Sequence, residues 1–402
     1  MSAAPTGTPI PLAMPRFGVH FDAPPPLSLY LHYPWCARKC PYCDFNSHEV
    51  RGESQESAWL KALEADLQAA LPTVWGRRIE TIFIGGGTPS LLSGAGLDQA
   101  LTLIRTLLPV HAEAEITMEA NPGTVEAGRF AAYRAAGVNR VSLGIQSFNG
   151  DHLTALGRIH DGDEARRAAD LALQHFPRVN LDLMYGLPQQ SIEQALQDVE
   201  VALGTGVRHL SCYQLTLEPN TVFHRSPPPL PESDAVAAYG DAIHARLAAA
   251  GFRHYETSAF AQPGEECQHN LNYWTFGDYL GLGPGAHGKL SYRQTVVREA
   301  RLRHPKAWID ALQAGESALQ LRDEVAPADL PFEFAMNAFR LIEGFPPDLF
   351  TRRTGLPFSR LSATLDQLEQ RGLVRCDPGW LAPTPLGQRF LNDLLQAFLP
   401  GA

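Results

Sequence analysis

The segment Cys36-Ala-Arg-Lys-Cys40-Pro-Tyr-Cys43 contains three cysteines in eight residues and decides which fold this chain adopts. Thiolates at this CxxxCxxC spacing on one short loop converge on a single point, as an iron–sulfur cluster requires. Three ligands cannot saturate a four-iron cluster, so one iron stays open to an exchangeable ligand. The spacing therefore predicts a [4Fe-4S] cluster bound by Cys36, Cys40 and Cys43. The remaining cysteines of the chain are Cys212, Cys267 and Cys376.

Two other uses of clustered cysteines fit the chain less well. Disulfides need an oxidising compartment, and the N-terminal residues lack the basic start and apolar block of a secretory signal. A structural zinc site has four ligands, usually from two CxxC pairs, and the sequence contains no second pair. The composition, 45% hydrophobic and 19% charged with no apolar run of membrane-spanning length, is typical of a soluble globular protein. We expect a cytoplasmic protein with no transmembrane segment.

From residue 27 onward, short β-rich runs alternate with amphipathic helical stretches. The predicted strands are 28–33, 81–85, 115–120, 140–146, 179–186 and 209–215, with a further extended run at 254–261. The predicted helices include 56–70, 94–108, 125–136 and 191–203. Such alternation is typical of parallel βαβ units, and six units are too few to close an eight-stranded barrel. The sequence therefore predicts an α/β fold built on a partial, TIM-like (β/α)6 barrel.

The pattern divides the chain into four parts. Residues 1–26 are rich in proline, alanine and glycine, which predicts a disordered extension. Residues 27–262 are assigned to the barrel, residues 263–303 to a connecting segment, and residues 304–402 to a small C-terminal domain that is mainly helical. At the start of that domain, 304–327 is predicted to be a helix and a connector.

The C-terminal domain has the pattern of a winged helix, in which helices flank a small hairpin. The predicted helices are 333–341, 358–371 and 385–398, and the hairpin joins 374–375 to 380–381. Winged helices often bind DNA, but residues 355–402 contain four arginines, no lysine and four acidic residues, and the whole chain carries a net charge of −10. Because a phosphate-binding face needs clustered cations, we expect no nucleic-acid partner and a structural or docking role.

Polar and glycine residues follow the predicted strands at the points where the strands end. In parallel α/β barrels these carboxyl ends meet and bind ligands. The strand-end residues are Tyr30, Gly86, Gly87, Thr88, Glu119, Gln146, Arg158 and Asp182. Any one of them alone is also compatible with a purely structural role in the core. Together they suit a zwitterionic nucleoside with ribose hydroxyls, because carboxylates accept hydrogen bonds from hydroxyl or ammonium groups and arginine binds a carboxylate.

With CxxxCxxC after the first strand and Gly85-Gly86-Gly87-Thr88-Pro89 after the second, the chain resembles the radical S-adenosylmethionine superfamily. In that superfamily the open iron binds the amino and carboxylate groups of S-adenosylmethionine, and reduction of the cluster cleaves the sulfonium. Within it, residues 28–47 resemble the branch that contains oxygen-independent coproporphyrinogen III oxidase. The resemblance implies that all eight strand-end residues contact S-adenosylmethionine, together with Tyr42 from the cysteine segment.

The chain departs from the oxidase in two places. The oxidase has another cysteine two residues after the third ligand, where this chain has Phe45, and its longer N-terminal segment is replaced here by a proline-rich stretch. The chain contains instead the pattern HNxxYW, which is similar to the heme-binding signature of the HemW heme chaperones. The stretches CDFNSH at 43–48 and YETSAF at 255–260 also match that family. The resemblance implies a heme site formed by His269, Asn270, Tyr273 and Trp274.

The ligand of the heme iron has more than one candidate. A neutral imidazole is a common ligand of heme iron, and the aromatic residues at 273 and 274 are suited to stacking on a porphyrin. His269 is the first choice, His287 in a glycine-rich turn the second, and Cys267 the third. The alternative is that His269 forms a hydrogen bond within the fold while the aromatic residues fill the core. No CxxCH pattern is present, so c-type attachment of heme is not supported.

Two classes of function therefore compete. The first is a heme chaperone that carries a [4Fe-4S] cluster and S-adenosylmethionine, binds heme and transfers it to an acceptor protein. The second is a radical enzyme that decarboxylates coproporphyrinogen III. Phe45, the short N-terminal stretch and HNxxYW favour the first. The expected partners are heme, a heme-accepting protein and, if the cluster is reduced, an electron donor such as flavodoxin or ferredoxin.

Overall fold

A computed structural model describes residues 18–52, 55–124 and 127–400 of the chain. The strands are β1 (Leu27–Tyr33), β2 (Trp35–Cys36), β3 (His48–Glu49), β4 (Ile79–Gly86), β5 (Val110–Ala120), β6 (Arg140–Gln146), β7 (Arg178–Tyr185), β8 (His209–Gln214), β9 (Arg253–Glu256), β10 (Ala259–Ala261), β11 (Asp278–Leu282), β12 (His287–Tyr292), β13 (Thr295–Arg301), β14 (Leu319–Glu324), β15 (Val374–Asp377) and β16 (Trp380–Pro383). The α-helices are α1 (Glu56–Ala70), α2 (Gly94–Leu107), α3 (Ala127–Ala136), α4 (Gly150–Ala155), α5 (Gly162–His175), α6 (Ile192–Gly204), α7 (Val222–Arg225), α8 (Ser233–Ala249), α9 (Gln268–Trp274), α10 (Pro305–Gln313), α11 (Leu330–Ala338), α12 (Asp348–Thr354), α13 (Ser359–Gln370), α14 (Pro385–Arg389) and α15 (Leu391–Gln396). Short 3-10 helices lie at Leu71–Thr73, Pro89–Leu91 and Pro122–Thr124.

Six parallel strands, each followed by helix, form the partial barrel that the sequence predicts. They are neighbours in the order β1-β4-β5-β6-β7-β8 within one large sheet. Strand β1 is buried along almost its whole length, as expected for a parallel strand covered on both faces. Helix α6 begins with a capping box: the Ser191 hydroxyl accepts a hydrogen bond from the Gln194 amide, and the Gln194 side chain accepts one from the Ser191 amide. The α/β fold class with its partial (β/α)6 barrel is confirmed.

The sheet continues beyond the barrel on the β1 side, which the sequence pattern did not predict. Strand β11 pairs with β1 in parallel, with Leu29 opposite Leu280. Strands β12, β13 and β14 then follow as an antiparallel meander. We call these four strands, β11 to β14, the sheet extension. It places residues from the connecting segment beside the first barrel strand.

Two local predictions need correction. The extended run predicted at 254–261 consists of two short antiparallel strands, β9 and β10, that pair with each other, and β10 also pairs with β8. The stretch predicted as a helix and connector at 304–327 contains helix α10 but also strand β14, whose six residues join the sheet extension. The first error arises because a period-two pattern indicates extended chain but does not reveal which strand it pairs with. The second arises because β14 is exposed along almost its whole length and so lacks the apolar alternation that marks a strand.

The predicted disordered extension does not agree with the structure at 18–26, and its residues 1–17 lie outside the described part of the chain. Val19 and Phe21 are buried against the C-terminal domain. The backbone amide of His20 donates to the carbonyl of Gly355, and that of Phe21 donates to the carbonyl of Arg293. Two buried apolar side chains and two backbone hydrogen bonds hold this short segment in place, although its composition is rich in proline.

The C-terminal residues form the winged-helix-like arrangement of helices around a hairpin. Strands β15 and β16 pair antiparallel, with Val374 opposite Pro383 and Asp377 opposite Trp380, and so form the predicted hairpin. The predicted last helix is divided into α14 and α15. The core of the C-terminal domain is apolar and includes Phe334, whose ring contacts that of Phe276 from the connecting segment. In the part of the chain that the structure describes, no helix is long and apolar enough to cross a membrane.

Candidate functional site

The loop that carries the three cysteines begins where β1 ends and is held against the end of β4. Strand β2 pairs with β3, with Trp35 opposite His48, and so closes the loop at its base. The backbone amide of Gly87 donates to the carbonyl of Tyr33, and that of Thr88 donates to the carbonyl of Trp35. We call residues 36–48 the cysteine loop. Its position is therefore fixed by the glycine-rich turn that follows the next strand.

The glycines at 86 and 87 are required by this contact between two chain segments. Gly86 has a φ of 116°, and a Cβ there would lie 2.7 Å from the imidazole of His32 and 2.8 Å from the carbonyl of Tyr33. A Cβ on Gly87 would lie 2.6 Å from the carbonyl of Trp35. The sequence analysis assigned Gly86 and Gly87 to ligand binding. The structure shows that these glycines first serve the packing of the cysteine loop.

The three predicted cluster ligands lie in a polar and partly buried setting. Cys36 is buried, Cys40 and Cys43 are half-buried, and all three are free thiols. Burial raises the pKa of the thiols of Cys36 and Cys43. Arg158 approaches the loop from the far side of the barrel: its Nη1 lies 3.6 Å from Sγ of Cys40, and its Nη2 donates to the carbonyl of Gly144. The arginine thus links the cysteine loop to the end of β6.

Within the described residues, no three His, Cys, Asp or Glu side chains are arranged to hold one metal ion. A four-iron cluster differs from such a site because each thiolate bonds a different iron. The buried Nε of Arg158 has no hydrogen-bond partner among the described groups, and a narrow crevice next to it is lined by Cys40 and Thr88. An unpaired buried donor beside free thiols fits an anionic group bound at this place.

Two half-buried carboxyl groups, those of Glu119 and Asp182, lie on the barrel strands β5 and β7. Oε2 of Glu119 accepts a hydrogen bond of 3.2 Å from the backbone amide of Gly86. Asp182 accepts hydrogen bonds from Ser142 and Asn180. Burial raises the pKa of Glu119 to about 8, with a further contribution from the nearby Asp182, and burial raises the pKa of Asp182 to about 6. In the absence of a cationic partner, Glu119 is therefore protonated at neutral pH.

Replacement of Glu119 by glutamine should stabilise the ligand-free protein at high pH. Because the folded state raises the pKa of this carboxyl from 4.5 to about 8, wild-type stability should fall as the pH rises through that interval. The variant lacks this loss, so above pH 8 its free energy of unfolding should exceed the wild-type value, and near pH 4 the two should agree. Urea unfolding at both pH values measures the difference.

The exposed Glu113 on the same strand provides the control for this experiment, since Glu113→Gln should leave the pH dependence unchanged. A Glu119→Gln variant whose stability runs parallel to that of the wild type at all pH values would contradict the protonated state.

A cavity of ≈ 770 Å³ opens between the barrel mouth and the sheet extension, and we call it the upper cavity. Its lining comes from four parts of the chain: Tyr30, His32, Gly86 and Glu119 of the barrel, Phe45 and Asn46 of the cysteine loop, Tyr273 of α9, and Tyr279, Gly285, His287, Ala300, Arg303, Gln320 and Leu321 of the extension and its turns. Residues predicted for the nucleoside and for heme therefore share one cavity.

The other predicted nucleoside contacts lie around this cavity and not in its lining. Gln146 ends β6 with a positive φ of 68°, which turns the chain away from the strand direction. Tyr42 packs near Phe223, with ring centroids 6.3 Å apart, and lies next to Arg158. Asp182 and Glu119 are near enough for each to influence the other's charge. The predicted set thus surrounds the barrel mouth, with Gly87 and Thr88 bound to the cysteine loop.

The predicted heme segment forms helix α9, and its side chains point in different directions. His269 is 1% exposed, its Nδ1 lies 2.8 Å from the Thr81 hydroxyl, and burial lowers its pKa to about 3. Its Nε2 is buried without a hydrogen-bond partner among the described residues. The ring of Tyr273 lies between His269 and the upper cavity, 4.9 Å from the imidazole centroid. His269, the first-choice heme ligand, therefore does not reach the cavity in this conformation.

Two other members of the predicted heme site also lie away from the cavity. Trp274 packs against the C-terminal domain, where the guanidinium of Arg340 lies 4.3 Å from the centroid of its indole. Asn270 is half-buried beside Cys267. Cys267, the third-choice heme ligand, is buried, and its thiol donates to the carboxylate of Glu115. Trp274 therefore connects α9 to the C-terminal domain and does not face a porphyrin in the upper cavity.

Sequence reasoning missed several residues that build the cavity wall. Asn46 donates to the carbonyls of Pro284 and Arg303, which fastens the cysteine loop to the sheet extension. His32 is held at both ring nitrogens, by the Tyr30 hydroxyl and by the Asn46 carbonyl. The CDFNSH stretch contained Asn46, but only the pairing of β11 with β1 brings its two acceptors within reach.

Comparison with known proteins defines the class to which this fold and cysteine loop belong. Residues 30–202 match the Radical SAM superfamily, and residues 325–390 match the HemN C-terminal domain. The solved structure of coproporphyrinogen III oxidase (HemN) from Escherichia coli, a radical SAM enzyme, superposes with a TM-score of 0.80 at 23% identity, over 93% of this chain and 90% of that one. The likeness shows a shared fold, and the class is that of the radical SAM proteins.

Sequence relatives narrow the class further. The heme chaperone HemW of Escherichia coli (strain K12) is 50% identical over 93% of this chain and 98% of its own length. HemW of Haemophilus influenzae is 46% identical with the same coverage of both chains. Radical S-adenosyl methionine domain-containing protein 1, mitochondrial, of Mus musculus is 40% identical over 93% of this chain and 87% of its own length. The chain belongs to the HemW heme chaperone family.

Proposed function

We propose that this protein is a cytoplasmic heme chaperone that binds heme in the upper cavity and passes it to an acceptor protein. The observation that carries the proposal is the shared lining of that cavity. Phe45 of the cysteine loop, Glu119 of the barrel mouth and Tyr273 of the HNxxYW helix all face it. A volume of ≈ 770 Å³ lies in the range of cavities that hold cofactor-sized ligands.

Cys36, Cys40 and Cys43 would hold a [4Fe-4S] cluster, and S-adenosylmethionine would bind next to it across the barrel mouth. The bound cluster and nucleoside would supply one-electron chemistry at the mouth. Glu119 is placed to accept a hydrogen bond from an ammonium or hydroxyl group, and it would lose its proton when a cation binds. Arg158 would hold the cysteine loop and stabilise negative charge near Cys40. The remaining contacts in this proposal are Tyr30, Tyr42, Gly86, Gly87, Thr88, Gln146 and Asp182.

We assign separate roles to the members of the HNxxYW segment. Tyr273 would contact the porphyrin from the cavity floor, with His269 supporting it from behind. Asn270 and Trp274 would hold α9 in position, the tryptophan through its contact with Arg340. This arrangement couples the floor of the heme cavity to the C-terminal domain. A small electron donor, such as flavodoxin or ferredoxin, would reduce the cluster if reduction controls release.

Cluster-loaded protein should bind close to one heme per chain and give it up to a heme-free acceptor. The measurement mixes heme-loaded protein with an excess of heme-free myoglobin and follows the Soret band of each protein after separation. The transfer should be compared with and without S-adenosylmethionine and dithionite, which tests whether the cluster controls release. Failure of cluster-loaded protein to retain any heme through gel filtration would refute the chaperone function.

The same preparation should not decarboxylate coproporphyrinogen III. Phe45 lies two residues after the third cysteine, at the position where the oxidase has a further cysteine. Its side chain is 59% exposed at the rim of the upper cavity. The assay is anaerobic, with coproporphyrinogen III, S-adenosylmethionine and dithionite, and with product analysis for protoporphyrinogen IX and carbon dioxide. Release of carbon dioxide in proportion to substrate would favour the enzyme in place of the chaperone.

A further inference from the structure

We propose that His287 is the protein ligand of heme iron in the upper cavity, seated on the sheet extension, and that Arg303 pairs with a heme propionate. The proposal rests on the proposed heme-binding function and names the side chains that carry it out. It moves the iron ligand from the HNxxYW helix to the opposite wall of the same cavity.

The wall opposite the barrel mouth is a row of three residues on adjacent strands. His287 opens β12 and lies opposite Ala300 of β13, and Ala300 lies opposite Leu321 of β14. All three line the upper cavity. Residues opposite each other in adjacent strands point to the same face of a sheet. The small Ala300 between a histidine and a leucine leaves a shallow, apolar seat on which a flat macrocycle can lie.

His287 has the ligand properties that the other imidazoles near the cavity lack. It is exposed, and its ring forms no hydrogen bond among the described residues. His32 also lines the cavity, but both of its ring nitrogens are already hydrogen-bonded. His269 is buried behind Tyr273. Partial burial of the ring and the cations Arg298 and Arg303 lower the pKa of His287, which favours the neutral imidazole that iron binds.

The rim of the cavity supplies the other contacts that heme requires. Phe45 and Leu321 are large apolar side chains that line the cavity and are 59% and 44% exposed. Exposed apolar side chains at a cavity rim are typical of a site that binds an apolar ligand. Arg303 lines the same opening, and a guanidinium there can bind a carboxylate with two hydrogen bonds. The apolar side chains can therefore contact the faces of the porphyrin, and the guanidinium can bind a propionate.

The test titrates hemin into the cluster-loaded full-length protein and into five variants, one of which is His269→Ala. His287→Ala and His287→Gln should shift the Soret maximum, change the spin state of the ferric heme in EPR, and weaken binding about tenfold or more. Added imidazole should restore the wild-type spectrum of His287→Ala. Arg303→Gln should weaken binding about threefold without moving the Soret maximum, since the guanidinium lies at an exposed rim. His111→Ala is the matched control, because His111 lines a separate cavity at the other end of the barrel.

The outcomes distinguish failure of the His287 assignment from failure of the proposed heme-chaperone function. A wild-type Soret maximum and affinity in both His287 variants would overturn the ligand assignment while heme binding by the wild type stood. A shift that occurs in His269→Ala and not in His287→Ala would also overturn it. If the wild-type protein binds no heme, the chaperone function itself fails and the ligand assignment fails with it. The iron–sulfur absorbance before heme addition reports that each variant is folded.

Discussion

Simultaneous replacement of Cys36, Cys40 and Cys43 by alanine is expected to remove the iron–sulfur cluster completely. Anaerobically reconstituted wild-type protein should hold about four irons per chain, as a [4Fe-4S] cluster requires, and the variant none. The reduced wild-type protein should also give an EPR signal that changes when S-adenosylmethionine is added, because the nucleoside binds the open iron. Iron analysis and EPR of the two proteins, prepared in parallel, measure the effect.

Two single replacements control for general loss of structure. Cys212 is buried in strand β8, and Cys376 lies in the hairpin of the C-terminal domain, so neither belongs to the cysteine loop. Cys212→Ala and Cys376→Ala should keep the full iron content. Loss of the cluster in either control would mean that the ligand set is not the three cysteines of the loop.

Replacement of Lys289 by methionine is expected to destabilise the fold by about 3 kcal/mol, the lower end of the effect of breaking a buried ion pair, because a second cation remains beside the carboxylate. Lys289 is 1% exposed, and its Nζ donates to Oδ1 of Asp278 at 2.8 Å and to the carbonyls of Phe276 and Gly277. Burial acts to raise the pKa of Asp278, but Lys289 and Arg77 outweigh it and lower the pKa. Without the lysine, the fully buried carboxylate keeps its ion pair with Arg77.

Lys306 provides the matched control because it also forms a lysine–aspartate pair, with Asp310, but at the surface. Lys306→Met should change the free energy of unfolding by less than about 1 kcal/mol. Urea unfolding of both variants measures the contrast. Equal effects of the two replacements would show that the buried pair contributes no more than a surface pair. Since Lys289 and Asp278 join β12 to β11, we also expect the weakened variant to lose heme affinity together with stability.

The barrel was predictable because its signals are local. The strand at Arg140–Gln146 and the helix at Glu56–Ala70 follow from apolar periodicity, and the structure has the same bounds for both. The sheet extension was not predictable in the same way. Strand β11 pairs with β1 from a distant part of the chain, and the residues of Asp278–Leu282 do not show which edge they join.

The sequence also could not show in which direction each side chain of the heme segment points. HNxxYW lists residues that share a short helix, but their order does not show which of them face the cavity. Tyr273 lines the cavity, whereas His269 hydrogen-bonds to Thr81 inside the barrel and Trp274 stacks with Arg340. His287 was a secondary candidate because nothing in its turn indicates that Ala300 and Leu321 lie beside it. These placements depend on strand pairings between segments far apart in sequence.

The pairing of β1 with β11 also determines the order of events during synthesis. Leu29 leaves the ribosome long before Leu280, the residue that it faces in the finished sheet. Pairings between distant segments form late in folding, and large domains pass through partly assembled states. The cysteine loop is translated soon after Leu29, so it exists before the strands that form the far wall of the upper cavity. The cavity therefore cannot form until the last strand of the sheet extension, Leu319–Glu324, has been synthesised.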